Sequence, residues 1–297
     1  MCVSLTGMGV AVFFGSFISA WACGTGDSLT DLISAMGNLD SEKGICANLV
    51  LNSLNQTLAF GAAGLTYALL HGAAPGVGFS KSGNSKHLGK FLIAAVIITL
   101  GFSPFLDLTF RLNEWLLVEG STIHTMAAAL EAEAARITEA MLQIETLNQF
   151  IATLIAVAIF PAICEEWLFR GAIQPIFAKW SGNIHVGIWI SAILFSAIHF
   201  QFFGFLPRVL LGAGFGYMVV ASGSLWPAVL GHFINNGSAV FAAWWLGPEW
   251  VAEGMNPAEG ALGISEAITA LMGASMIFGS VMWLKKSNST FQNLTKP

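Results

Sequence analysis

Eight stretches, near 3–22, 50–71, 91–110, 147–164, 185–205, 206–222, 226–246 and 262–284, are almost wholly apolar, and each approaches the roughly 20 residues a helix needs to cross a bilayer. Inside hydrocarbon the backbone must satisfy its own hydrogen bonds, which leaves only helices and closed barrels. The length of these runs selects helices. The expected fold is therefore an all-α polytopic membrane bundle of about eight transmembrane helices. Charge supports this: apolar residues make up 55% of the 297 and charged residues only 10%, against about 25% charged in a soluble domain. A soluble chain so poor in charge would expose large apolar patches, whereas lipid solvates them. The lipid bilayer is thus the first partner. The net charge of -5 includes no basic block, so nothing indicates a nucleic-acid partner.

The second stretch is the weakest, because it carries Asn52, Asn55 and Gln56. Residues 72–90, rich in Gly, Ser and Lys, read as a loop. Over 122–146 a different pattern holds. Met126, Leu130, Ala134, Ile137, Met141 and Ile144 recur at helical spacing among Glu131, Glu133, Arg136 and Glu139, the mark of an amphipathic helix at the interface. Lys81, Lys86 and Lys90 sit in the loop after the second stretch, Lys285, Lys286 and Lys296 follow the last, and loops 24–49 and 247–261 are acidic. By the bias of cationic loops toward the cytoplasm, both termini are expected there, in a multi-pass protein of a bacterial inner membrane. No Lys or Arg precedes position 43, so 3–22 reads as a spanning helix rather than a signal peptide. Of the four cysteines, Cys2 and Cys164 lie in apolar runs. Cys23 and Cys46 flank one loop and could pair if that loop is extracytoplasmic, but the favoured expectation is that they remain unpaired.

Ionisable groups within spans are costly and mark function by default. Three clusters stand out, all beyond residue 160. In Glu165-Glu166-Trp167-Leu168-Phe169-Arg170, Glu166 and Arg170 are four apart with the acid first, the order that favours a pair. Glu165 points about 100° away on a 3.6-residue period. Phe195-Ser196-Ala197-Ile198-His199 places an imidazole one turn after a phenyl ring, and His232-Phe233-Ile234-Asn235-Asn236 places an imidazole and a carboxamide one turn apart. Each cluster alone admits a structural explanation: an interfacial ion pair, a core histidine, or interhelical hydrogen bonding. Together they gather a carboxylate, two imidazoles and an amide from three spans, a set that packing alone seldom requires in hydrocarbon.

The patterns EExxxR, FxxxH and HxxxN, with the text "EEWLFRGAIQ", "ILFSAIHF" and "WPAVLGHFINN" around them, resemble the CAAX prenyl protease type II and bacteriocin-processing family (CPBP, or Abi). The likeness covers about residues 147–246. It divides the chain into an N-terminal membrane region with the interfacial helix (1–146), a protease-type core (147–246) and a C-terminal helix with a tail (247–297). The resemblance implies an intramembrane endopeptidase acting on a membrane-anchored peptide or protein substrate. By motif position, Glu165 is the general base that activates water, His199 holds or polarises that water, and His232 and Asn236 bind the oxyanion. Glu166, Arg170, Phe195 and Asn235 support them. An amide cannot titrate, so its NH2 is a permanent donor to developing negative charge.

A metal-free site is favoured, with no cofactor. The alternative is zinc on Glu165, His199 and His232, against which stand the absence of HExxH and the poor affinity of Asn for zinc. Two further functions are compatible with the same groups: a non-catalytic scaffold or self-immunity protein on this fold, and a proton-coupled transporter, for which no inverted repeat is visible. One geometric demand follows from the span windows. The groups meet only if the fourth helix sinks, tilts or continues past Glu165, and if the fifth extends to about 205.

Overall fold

The computed structural model describes residues 2–26, 28–70, 88–116, 120–247 and 264–287, and among these residues every regular element is helical. The chain is a helical membrane bundle, as its composition requires. Helix α1 is Cys2–Cys23, α2 is Leu29–Gly37 and α3 is a continuous rod over 42–70 with a π-helical segment, Gln56–Gly61, inside it. Helix α4 is Leu88–Leu116, α5 is Thr122–Met141 and α6 is Leu147–Ser181. Then come α7 (Ile184–Ala197), α8 (Phe205–Ser222), α9 (Trp226–Leu246) and α10 (Ile264–Ser287). Each of the eight apolar stretches lies largely within one of these helices. Leu88–Phe105, Leu147–Ser181 and Phe205–Ser222 are long and apolar enough to cross a membrane, and Gly7–Cys23, Ile184–Ala197 and Ile268–Leu284 are shorter apolar helices. Most of the predicted 72–90 loop, the 247–261 loop and the C-terminal tail lie outside the described residues.

Two boundaries differ from the sequence reading. Helix α6 does not stop near 164 but runs on to Ser181. The polar EExxxR motif, taken from hydropathy as the end of a span, lies in mid-helix because hydropathy counts residues and not the partners they find. Helix α7 ends at Ala197 instead of reaching 205, and Phe200 takes a left-handed φ of 53° three residues later. The ends of α6 are written in sequence. Thr146 accepts from the Gln149 N–H while the Gln149 side chain accepts from the Thr146 N–H, a capping box. Gly182, at φ 66°, closes the helix in the left-handed conformation.

Cys23 and Cys46 form a disulfide, which corrects the expectation of free thiols. Helices α2 and α3 fold back so that the two cysteines, 23 residues apart, come to a Cα–Cα distance of 5.7 Å, within bridging range. Cys164 is a buried free thiol.

The chain divides into two compact units. The first comprises Met1–Pro75, Ala134–Leu168 and Asn236–Met255. Its core joins Leu142, Ile144, Val240 and Ala243, with Phe150, Leu154 and Val157 packed against them. The second comprises Gly76–Glu133, Phe169–Asn235 and Asn256–Pro297. Here Ala95, Leu211, Phe215, Met218 and Ala228 form one cluster, and Ile188, Ala192, Val209 and Ala213 another. In both units many large apolar side chains point outward, among them Phe13, Trp21, Leu70, Ile93, Trp245 and Phe278. Such a surface suits acyl chains rather than water.

Candidate functional site

The sequence-predicted residues fall on both units: Glu165, Glu166 and Asn236 on the first, Arg170, Phe195, His199, His232 and Asn235 on the second.

In the first unit, Glu165 and Glu166 are buried, at 4% and 0% exposure. Their helix is unusual on both sides of the motif: π-helical segments occupy Leu154–Ile159 and Phe169–Ile173. Each is followed two residues later by a proline, Pro161 and Pro175. A proline inside a helix has no N–H for the carbonyl four residues back and crowds it, and one extra residue in the turn relieves the clash. For Pro161 that carbonyl belongs to Val157. The Asn236 side chain takes it up, donating from Nδ2 to Val157 O at 3.0 Å. One turn of the rod α3 does the same for the neighbouring carbonyl, Asn52 Nδ2 donating to Ala156 O at 2.8 Å. A turn further along α3, Gln56 Nε2 donates to Glu165 Oε1 at 2.7 Å, and both residues are buried. The close approach of α3 to α6 depends on glycine. A Cβ on Gly64 would stand 3.0 Å from the backbone of Trp167.

In the second unit Phe195 is the hub. Its ring lies edge-on to His199 at 5.1 Å, to His232 at 5.7 Å and to Phe169 at 5.3 Å. The Arg170 guanidinium carbon sits 4.7 Å from the centre of the same ring and 5.8 Å from that of Phe215, where aromatic faces offset part of the cost of burying the cation. His232, 4% exposed, stacks on Phe215 at 6.1 Å. His199 Nδ1 lies 2.8 Å from Phe195 O. A carbonyl only accepts, so Nδ1 carries the proton there, which turns Nε2 away from the Phe195 carbonyl. FxxxH thus sets both the position and the tautomer of its histidine. Asn235, on the turn after His232, is half-buried.

The Arg and Gln of the EExxxRxxxQ run act as a ladder on α8. Arg170 donates to Gly212 O at 2.9 Å and Gln174 to Gly216 O at 3.3 Å. The glycines permit this, since a Cβ on Gly212 would lie 2.8 Å from the Arg170 amino nitrogen. The turn after His199 is anchored from elsewhere in the unit. Glu131 accepts from Phe203 N at 3.3 Å and from Gln201 Nε2 at 3.4 Å, and Asn113 donates to Phe202 O and Phe203 O. Half-burial raises the Glu131 carboxyl above its usual range, against the lowering effect of the Phe203 N–H and of Arg208.

Sequence reasoning did not single out Asn52, Gln56 or Gln174 as partners of the motifs. The signal was present for the first two, which are amides in an apolar run, but it registered only as a weak span. Gln174 stands at the end of the quoted "EEWLFRGAIQ". Among the described residues no three His, Cys, Asp or Glu side chains are grouped to hold a metal ion.

Residues 147–238 match the model of a family described as type II CAAX prenyl endopeptidase Rce1-like, a family of proteases. The match spans all three motifs and bears out the likeness read from them. The uncharacterized protein YpbD of Bacillus subtilis (strain 168) is 32% identical over 85 residues, which cover 27% of this chain and 39% of YpbD. The chain therefore spans well under half the length of that relative. No solved structure matches.

Proposed function

We propose, from a chain whose residues 147–238 carry the Rce1-like endopeptidase pattern, an intramembrane endopeptidase that cuts a membrane-anchored substrate of CAAX or leader-peptide type. Residues 147–246 form its core, with 1–146 and 247–297 as flanking membrane regions. Glu165 takes a proton from water as the water oxygen attacks the scissile carbonyl carbon. His199, with Nδ1–H committed to Phe195 O, accepts from that water through Nε2 and orients it. His232 and Asn236 donate to the oxyanion, Asn236 through the second hydrogen of the nitrogen that also serves Val157 O. Glu165 then passes its proton to the leaving amine as the C–N bond breaks. Arg170 and Phe195 hold the histidines' surroundings in place, with Glu166 and Asn235 as supporting neighbours. No step is routed through a metal.

The observation that carries this reading is a carboxylate almost fully buried inside an apolar helix, in the middle of the matched segment, and held by an amide donor. Burial of that kind is expensive and is kept where a task needs it. The cationic loops and tail support cytoplasmic termini, and a bacterial inner membrane is the proposed location. The test is cleavage of a prenylated CAAX-type reporter peptide by the purified chain in liposomes. Glu165→Gln is expected to abolish turnover while the protein remains folded, and wild-type activity should survive a strong chelator. Full activity in Glu165→Gln removes the base. Loss with chelator and return with zinc replaces the metal-free scheme. A wild-type protein that cuts nothing favours the scaffold role.

A further inference from the structure

We propose that Gln56 is an active-site positioning residue, contributed by the N-terminal region outside the family-matching segment, whose amide fixes the reacting orientation of the Glu165 carboxylate. The proposal rests on the reading of Glu165 as the base.

Gln56 donates from Nε2 to Glu165 Oε1 at 2.7 Å, and the two residues are 6% and 4% exposed. The amide thus presents its NH2, not its carbonyl oxygen, to the acid. Gln56 Oε1 is then a second buried polar atom beside the carboxylate, and it has no partner among the described residues. The Nε2 contact gives the base a fixed rotamer, the kind of preorganisation that catalysis by positioning needs.

The rod α3 is built to hold this amide still. Gln56 opens its π-helical segment, and such segments cluster at functional sites. One turn before it, Asn52 is tied to Ala156 O. One turn after the segment begins, the rod comes close enough that a Cβ on Gly61 would stand 3.1 Å from Cys164 Sγ. The contact therefore runs along both helices on either side of Gln56. Asn52 and Gln56 are matched amides on one face of α3, but they do different things. Asn52 satisfies a backbone carbonyl, whereas Gln56 touches the acid.

That difference supplies the control. The full chain is reconstituted in liposomes, and kcat and KM are measured on the prenylated CAAX-type reporter peptide for Gln56→Leu, Gln56→Asn, Asn52→Leu and Glu165→Gln. Thermal unfolding in detergent is followed alongside. Gln56→Leu is expected to lower kcat roughly 10- to 100-fold, the range found when an outer partner orients a metal ligand, with KM within about twofold. Gln56→Asn, which keeps the amide on a shorter stem, is expected to recover part of kcat, and it decides the matter if Gln56→Leu does not fold. Asn52→Leu is expected to lower the melting temperature while keeping kcat near wild type. Wild-type kcat in folded Gln56 variants, with Glu165→Gln dead, overturns this proposal and leaves the base reading standing. So does a kcat loss in Asn52→Leu equal to that in Gln56→Leu, because both amides would then be merely structural. An active Glu165→Gln, or a wild type that cuts nothing, removes the base reading and this proposal with it.

Discussion

In the proposed reaction Asn236 carries a structural and a chemical burden together. Its amide answers a carbonyl in the π-helical segment of α6 at 3.0 Å, and in the proposed reaction the same nitrogen serves the oxyanion. Asn236→Leu should therefore cost stability as well as rate. Leaving a part-buried carbonyl unsatisfied costs about 1 kcal/mol, and loss of one oxyanion donor lowers rate about 10²–10³-fold. Thermal unfolding and cleavage rates, measured on the same preparation, separate the two. An unchanged melting temperature would show that Val157 O finds another donor. For His199 the sequence disclosed the residue, and the geometry added its tautomer through the contact with Phe195 O. Gln56 was visible only as a blemish in a span. A single amide in an apolar window has no stated partner until a second helix is set against it.

The decisive element is α6, a 35-residue helix interrupted twice by π-helical turns, each two residues ahead of a proline. A π turn shifts the angular register of all that follows it. It thereby decides which face Glu165, Arg170 and Gln174 present, something a uniform 3.6-residue period cannot foresee. Pro161→Ala restores the missing N–H and removes the crowding at Val157. The expected outcome is a melting temperature equal to or above that of wild type, since proline is the worst interior helix residue by about 3 kcal/mol, together with reduced cleavage as Val157 O is withdrawn from Asn236. Wild-type activity with raised stability would show that the π turn is not set by Pro161. Helix α7 is shorter than its apolar run suggested because Phe200 turns left-handed, and its polar anchors Glu131 and Asn113 are distant in sequence.

For the whole molecule, the outward apolar side chains and the sparse charge agree on a lipid environment. The Cys23–Cys46 disulfide is a bond of a kind that persists in oxidising surroundings. The proposed orientation, with the cationic loops in the cytoplasm, predicts that the acidic 24–49 region faces the other side. Cys23→Ser should destabilise the protein by about 3 kcal/mol, the loop-entropy value for a closure of this order, measured by unfolding under non-reducing conditions. In intact cells, a membrane-impermeant thiol reagent should label both cysteines only after reduction. Labelling without reduction would show that they are free.

The sequence by itself determined the membrane bundle and the amphipathic fifth helix, and it singled out the acid, imidazole and amide residues proposed for the site. Those follow from local quantities: the length of apolar runs, the period of charges, and the cost of an ionisable group in hydrocarbon. Tertiary structure alone decided that α6 runs through its polar motif, that Cys23 meets Cys46, that Arg170 lies on Phe195, and that Gln56 holds Glu165. Each of these is a pairing between distant segments. Its free energy belongs to two surfaces at once, so neither segment carries the information alone.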